Sequence, residues 1–185
     1  MSSFPALETD RLRLRELVVD DAGTLLAIHG DREAMRWFGT DPLTDLQQAE
    51  RLVETFASWR HLPNPGLRWG IERKDGALIG TCGLFKWNRG WRSCTLGYEL
   101  AASSWGQGFM RESLTTVIDW GFDSMGLNRI EAQIHPQNAA SLGLAKRLGF
   151  VEEGLLRQAG YWLDEYHDLI QFSLLRGEWR GQGSL

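Results

Sequence analysis

Two hydrophobic periods take turns along the chain. "RLRLREL" at Arg11–Leu17 sets leucine against charge at every second position, the period of a half-buried strand. Asp20 and Asp21 follow as candidate caps for a helix carrying Ala22, Leu25, Leu26 and His29 on one side. "TDLQ" at Thr44–Gln47 fits a capping box, and the helix it opens places Ala49, Leu52, Val53 and Phe56 in one stripe. "LPNPG" at Leu62–Gly66 breaks that helix. Three strand-like pieces come next: "RWGIERK" from Arg68, "ALIGTCGLFKW" from Ala77 and "SCTLGYELAA" from Ser93. Lys74-Asp75-Gly76 and Asn88-Arg89-Gly90 supply turns between them, Asp-Gly being suited to positive φ. These pieces predict an antiparallel meander.

The helical period then returns. Met110, Leu114, Val117, Ile118, Phe122 and Met125 form one stripe. "NRIEAQIHP" reads as a strand, with Ile130, Ala132 and Ile134 on one face and Glu131, Gln133 and His135 on the other. Asn138 can cap a helix that runs through Leu148 and is closed by Gly149. "FVEEGLLRQAGYW" and "HDLIQFSLL" end the series as strands. The order β-α-α-β-β-β-α-β-α-β-β predicts a mixed α/β sheet of about seven strands flanked by four helices. With 185 residues and no linker, repeat or low-complexity tract, the expectation is one domain over residues 1–185.

Composition narrows the partners. Hydrophobic content of 43% and charged content of 24% are ordinary for a soluble domain. A net charge of −4 argues against nucleic acid, whose phosphates call for a basic face. No apolar run reaches the roughly 20 residues of a membrane span, and "MSSFPALETD" lacks the features of a signal peptide. The expected location is the cytoplasm. Cys82 and Cys94 have no Cys or His at metal-ligand spacing, so they are expected to be reduced thiols with no metal.

One stretch carries candidate chemistry. "SSWGQGFMRE" at Ser103–Glu112 puts two glycines directly before an amphipathic helix, where unpaired N–H groups and the positive helix end favour an anion. A P-loop would need Lys-Ser/Thr after the glycines, where Phe109 and Met110 stand. A dinucleotide fold would need a third glycine near Glu112 and Ser113. A turn that merely lets strand and helix pack closely is the bland alternative.

"YELAASSWGQGFMRESL" and "GLNRIEAQIHPQNAASLGLAKRLGFVEEGLLR" resemble the Gcn5-related N-acetyltransferase (GNAT) superfamily. Within it the chain is similar to the RimJ/RimL branch, which acetylates ribosomal-protein N-termini. The likeness spans nearly the whole chain: "LETDRLRLREL", "WGQGFMRE", the Asn138–Ser141 "N-x-x-S", "KRLGF" at Lys146–Phe150 and "YHD" at Tyr166–Asp168. It implies direct acetyl transfer from acetyl-CoA to an amine, in a sheet whose fourth and fifth strands splay apart. The pantetheine arm would pair with the backbone at Leu100, Ala101 and Ala102. The N–H groups of Gly106, Gln107, Gly108, Phe109, Met110 and Arg111 would hold the pyrophosphate, and the Arg111 side chain either touches a phosphate or stays solvated. Backbone N–H groups near Glu99 and Leu100 would polarise the thioester. Asn138 would contact the pantetheine arm while capping its helix, and Ser141 would bond the CoA sulfur as the thiolate leaves.

The proton acceptor departs from the family pattern. Many relatives carry Glu where this chain has Gln133, and the acidic position proposed as base in one ribosomal acetyltransferase falls on Gly160. Glu99 is the leading remaining candidate, ahead of His135 and Glu131. An α-amine titrates near pH ~7.7–8.0 and a lysine near ~10.4, so a missing carboxylate favours the α-amine. Tyr98, His135 and Trp87 are expected on the acceptor side. Trp87, Trp91 and Trp162 fall in or near loops, where they would line that groove or a homodimer contact. His167 and Asp168 match the family's "HD", with a sheet-edge hydrogen bond as the plainer role. The alternatives are a small-amine acetyltransferase, for an amino acid, polyamine or antibiotic, and a catalytically silent acyl-CoA-binding module.

Overall fold

Leu12 and Leu14, the leucines of the first alternating stretch, are fully buried, and Leu14 lies opposite Ile71 of a neighbouring strand. The computed structural model describes residues 4–181. Its strands are β1 (Leu7–Glu8), β2 (Leu12–Glu16), β3 (Leu67–Arg73), β4 (Leu78–Asn88), β5 (Ser93–Leu100), β6 (Arg129–Ile134), β7 (Val151–Trp162) and β8 (Glu165–Leu175). The helices are α1 (Ala22–His29), α2 (Leu46–Ser58), α3 (Phe109–Ser124) and α4 (Ala139–Arg147). The mixed α/β sheet and four helices match the expectation. The eighth strand, β1, has only two residues, too few to show a period.

The sheet runs β1-β2-β3-β4-β5-β6-β8-β7, antiparallel at every pairing except β5 with β6. α3 makes the crossover that a parallel pair requires. The two faces of the sheet carry separate apolar clusters. Met110, Leu114, Val117, Ile118 and Phe122 of α3 pack with Leu12, Ile71, Leu84, Ile130 and Phe172 in the larger one. Leu17, Leu25, Ala49, Val53 and Phe56 form the smaller one beneath α1 and α2. β3 alternates between them: Trp69 meets the ring of Trp120, while Arg68 lies over Phe56.

Two predicted caps differ from the chain's own solution. Asp45 caps α2, accepting from Gln48 N at 2.8 Å, while Gln48 Oε1 accepts from Thr44 N; the cap is Asp45, one residue later than "TDLQ" suggests, and the reciprocal bond goes to the residue before it. Asp21 precedes α1 but makes no side-chain cap bond. Its carboxylate accepts from Val18 N and from both terminal nitrogens of Arg15. A salt-bridged carboxylate outcompetes a cap here because Arg15 is brought alongside by β2. Asn138 does cap α4, accepting from Ser141 N at 3.1 Å, and Gly149 follows that helix with φ 84°. Cys82 and Cys94 are buried and unpaired, and burial pushes the Cys82 thiol up to about 12.

Candidate functional site

β5 and β6 pair only from Ser93↔Arg129 to Thr95↔Glu131. Beyond that point β5 keeps its register on β4 as far as Leu100, and β6 follows β8 as far as Ile134. The two strands therefore separate, and a cavity of about 720 Å³ crosses the gap. Leu100, Gly106, Gly108, Phe109, Met110, Arg111, Asn138 and Ser141 stand on its wall. Ala101, Ala102 and Gln107 do not: Ala101 N bonds Ile79 O at 2.8 Å, Ala102 begins a 3-10 turn, and Gln107 bonds Ser103 and Arg11. The Leu100 carbonyl accepts from the Trp105 indole at 3.0 Å.

Both loop glycines are left-handed, Gly106 at φ 72° and Gly108 at φ 80°. Nothing lies within 4 Å of a Cβ built on Gly106, so its glycine answers a backbone demand and not close packing. Gly108 caps α3 without a side-chain bond, and the first bond into the helix runs from Glu112 N to Gly108 O. The N–H groups of Phe109, Met110 and Arg111 thus lack an intrahelical acceptor at a cavity wall, which suits an anion.

Tyr98 and Glu99 leave β5 on opposite faces, and both border the cavity. Tyr98 is half-buried, and desolvation pushes its phenol pKa up against the pull of Ser141. Glu99 is buried in a ring of donors. His29 Nε2 lies 3.0 Å from Oε1, Thr81 Oγ1 donates to the same oxygen, and Arg68 donates to Oε2. Arg68 Nε donates to Thr81 Oγ1 at 2.7 Å, closing the ring. Burial alone would raise the Glu99 pKa, but Arg68, His29 and Thr81 together hold it below the usual carboxylate range. A carboxylate stabilised in this way binds a proton weakly.

His135 is buried against Trp37, their ring centroids 4.1 Å apart. Its Nδ1 accepts from Gln137 N at 3.1 Å, so the neutral ring carries its proton on Nε2. Burial, His167 and Arg36 push its pKa down against the pull of Asp168. The ring is therefore neutral at neutral pH, with one lone pair already engaged. It borders a second cavity of about 880 Å³, walled also by Arg32, Arg36, Tyr166 and His167, which shares Glu33, Trp37 and Gln137 with the first.

Other predicted residues fall elsewhere. Trp87 borders neither cavity: it sits near the Asn88↔Ser93 end of β4, whereas the gap opens at the Gly80↔Leu100 end. Trp91 is 81% exposed, and Trp162 is buried, stacked on His167 with its indole donating to Arg36 O. Glu131 is tied to Arg129 at 2.7 Å and borders neither cavity. Gln133 borders the first cavity and bonds Gln171. A Cβ on Gly160 would lie 2.3 Å from the Trp162 ring, so an indole fills the space where a carboxylate would stand. His167 bonds Trp162 O and Asp168 accepts from Gln158 N, the plainer sheet-edge roles. Sequence reading missed His29, Arg68, Thr81 and Trp37, whose partners are remote in the chain. Among the described residues no group of three or more His, Cys, Asp or Glu could hold a metal, and no helix is long and apolar enough to cross a membrane.

Comparison with known proteins agrees with this geometry. The model of the acetyltransferase (GNAT) domain family matches residues 11–151. The uncharacterized N-acetyltransferase YoaA of Bacillus subtilis (strain 168) is 37% identical over 174 residues, 94% of this chain and 98% of its own length. The putative ribosomal N-acetyltransferase YdaF of the same organism is 28% identical over 97% of this chain and 99% of its own. Mycobacterium smegmatis RimJ, solved in complex with CoA-disulfide, superposes with a TM-score of 0.81 at 25% identity, covering 90% of this chain and 83% of that one.

Proposed function

The chain belongs to the GNAT acetyltransferase family, and on that premise we propose that it acetylates the α-amine of a protein N-terminus, in the manner of the RimJ/RimL branch. The observation that carries this reading is one path through the sheet. It leads from the left-handed Gly106–Gly108 loop, across the β5–β6 gap, to the adjoining cavity beside His135 and Trp37. Acetyl-CoA, the family's acyl donor, would be held at its pyrophosphate by the orphan N–H groups of α3, with Tyr98 and Ser141 lining the same cavity for its thioester end. The Asn138 side-chain oxygen holds α4, and its amide nitrogen is left to face the pantetheine arm. We place the reaction in the cytoplasm.

The acceptor follows from the weakness of the bases. Glu99 is ionised within its ring of donors, and the His135 lone pair is occupied. The enzyme is therefore suited to an amine that reaches its neutral form with little help. An α-amine, with a pKa near ~8, is roughly two hundred times more often neutral at pH ~7 than a lysine near ~10.4. A peptide with a free N-terminus should be acetylated in preference to the same peptide blocked there and carrying a lysine. Equal turnover of both, or turnover confined to a polyamine, would overturn the acceptor assignment. CoA release with no amine on the panel would leave only an acyl-CoA-binding module.

Ser141 is given the departing sulfur. Ser141 borders the β5–β6 cavity in the first turn of α4, on the wall the pantetheine arm would follow. Ser141→Ala should lower kcat about 10- to 100-fold, within the lower range of acid–base contributions, with little change in acetyl-CoA affinity by calorimetry. A loss confined to affinity would make Ser141 a binding residue only.

A further inference from the structure

We propose that Arg11 is the positioning residue of the pyrophosphate loop, aiming its N–H groups and cancelling the charge of Glu112 beside the phosphates. The inference rests on acetyl-CoA occupying that loop. Glu112 lies in the first turn of α3, where a carboxylate favours the helix but opposes an incoming phosphate. The turn between β1 and β2 reaches over to meet it. Thr9 Oγ1 donates to Glu112 Oε1 at 2.5 Å, and Arg11 N donates to the same oxygen at 3.0 Å. Arg11 Nε and Nη2 both engage Oε2, at 2.7 and 2.6 Å. Burial would raise the Glu112 pKa, but Thr9 and Arg11 outweigh it and keep the group ionised and covered.

The same guanidinium sets the loop. Arg11 Nη1 donates to Gln107 O at 3.0 Å, and its Cζ lies over the Phe109 ring, 4.5 Å from the centroid. In a trans peptide the carbonyl and the following N–H point opposite ways. Fixing the Gln107 carbonyl on Arg11 therefore turns the Gly108 N–H away from Arg11, on a residue that borders the cavity. Gln107 sits between two left-handed glycines, a segment with little stiffness of its own. Arg11 does not itself border the cavity, so it acts on the phosphates through the loop.

Calorimetry with two ligands tests the proposal. Arg11→Ala should raise the acetyl-CoA Kd by about 10- to 100-fold, the scale of hydrogen bonds to charged groups. The Kd for acetyl-pantetheine, which has the same arm and no phosphates, should move less than about twofold, because its contacts lie beyond the loop. Adding Glu112→Gln to Arg11→Ala should recover part of the acetyl-CoA loss, since the uncovered carboxylate is then gone. Equal weakening of both ligands would reduce Arg11 to a support of the fold and overturn the proposal. No weakening, or no recovery in the double variant, would overturn it as well. A wild-type protein that failed to bind acetyl-CoA would instead sink the reading on which this inference rests.

Discussion

Glu99→Gln is expected to lower the midpoint of thermal unfolding by about 10 °C. The carboxylate neutralises a buried guanidinium, that of Arg68, and also accepts from His29 and Thr81. Removing one partner of a buried pair costs ~3–5 kcal/mol, and in a chain of this size each kcal/mol is worth roughly 2–4 °C. Replacing both partners by leucine should return most of that loss, because no charge is then left buried without its counterion. Since the Glu99 pKa is depressed, its contribution is complete above the ordinary carboxylate value and is lost as pH falls through the folded one. The gap in melting temperature between wild type and Glu99→Gln should therefore stay flat from neutral pH to about 5 and narrow below about 4. Activity, assayed well below the melting temperature, separates the two roles open to this residue. A base working through water would show its deepest loss at low pH, where free amine is scarce. The ring of donors leads us to expect the same fractional loss of kcat/KM at every pH, the mark of a group that positions the site.

Gly108→Asp should weaken acetyl-CoA binding by at least about 100-fold while the protein stays folded. A unit charge about 5 Å from a single phosphate charge costs roughly 3 kcal/mol at an effective dielectric constant of ~20. The backbone can tolerate the change, for Asp enters the left-handed region more readily than most residues, and a Cβ there meets only Arg11 Nη2, at 3.4 Å. Gly108→Asn isolates the charge, having nearly the same shape and backbone preference. Asparagine should cost less than about tenfold, the scale of a strained left-handed residue. Equal losses in the two variants would put the effect on conformation, and unchanged affinity in both, with normal circular dichroism, would remove the loop from the phosphate site.

Local rules made the framework legible. Alternating leucines revealed β2, the Asp75-Gly76 turn joined β3 to β4, and the 3.6-residue stripe from Met110 marked α3, because each of these signals is carried by neighbours in the chain. Gly106 and Gly108 were legible for the same reason: a left-handed backbone before a helix favours glycine, a preference set within the residue itself. The register of β1 was not legible, since two residues carry no period, and neither was the choice of Asp21 to bind Arg15 and leave its helix uncapped.

The acceptor side lay further from reach. Gly160 reads as an absence, yet the structure fills its place with the ring of Trp162, whose indole is turned there by the Arg36 carbonyl 126 residues away. Trp87 has the composition of a groove residue and the wrong end of its strand. The sequence by itself determined the order of elements, the glycine loop and the cap at Asn138, all set by interactions within a few residues. Only the tertiary structure decided that Glu99 is a partner of Arg68, that the His135 lone pair is engaged, and that Arg11 reaches the far side of the loop. Those properties depend on burial and on charges brought together by sheet order, and a pKa or a hydrogen bond has no value until its neighbours are in place.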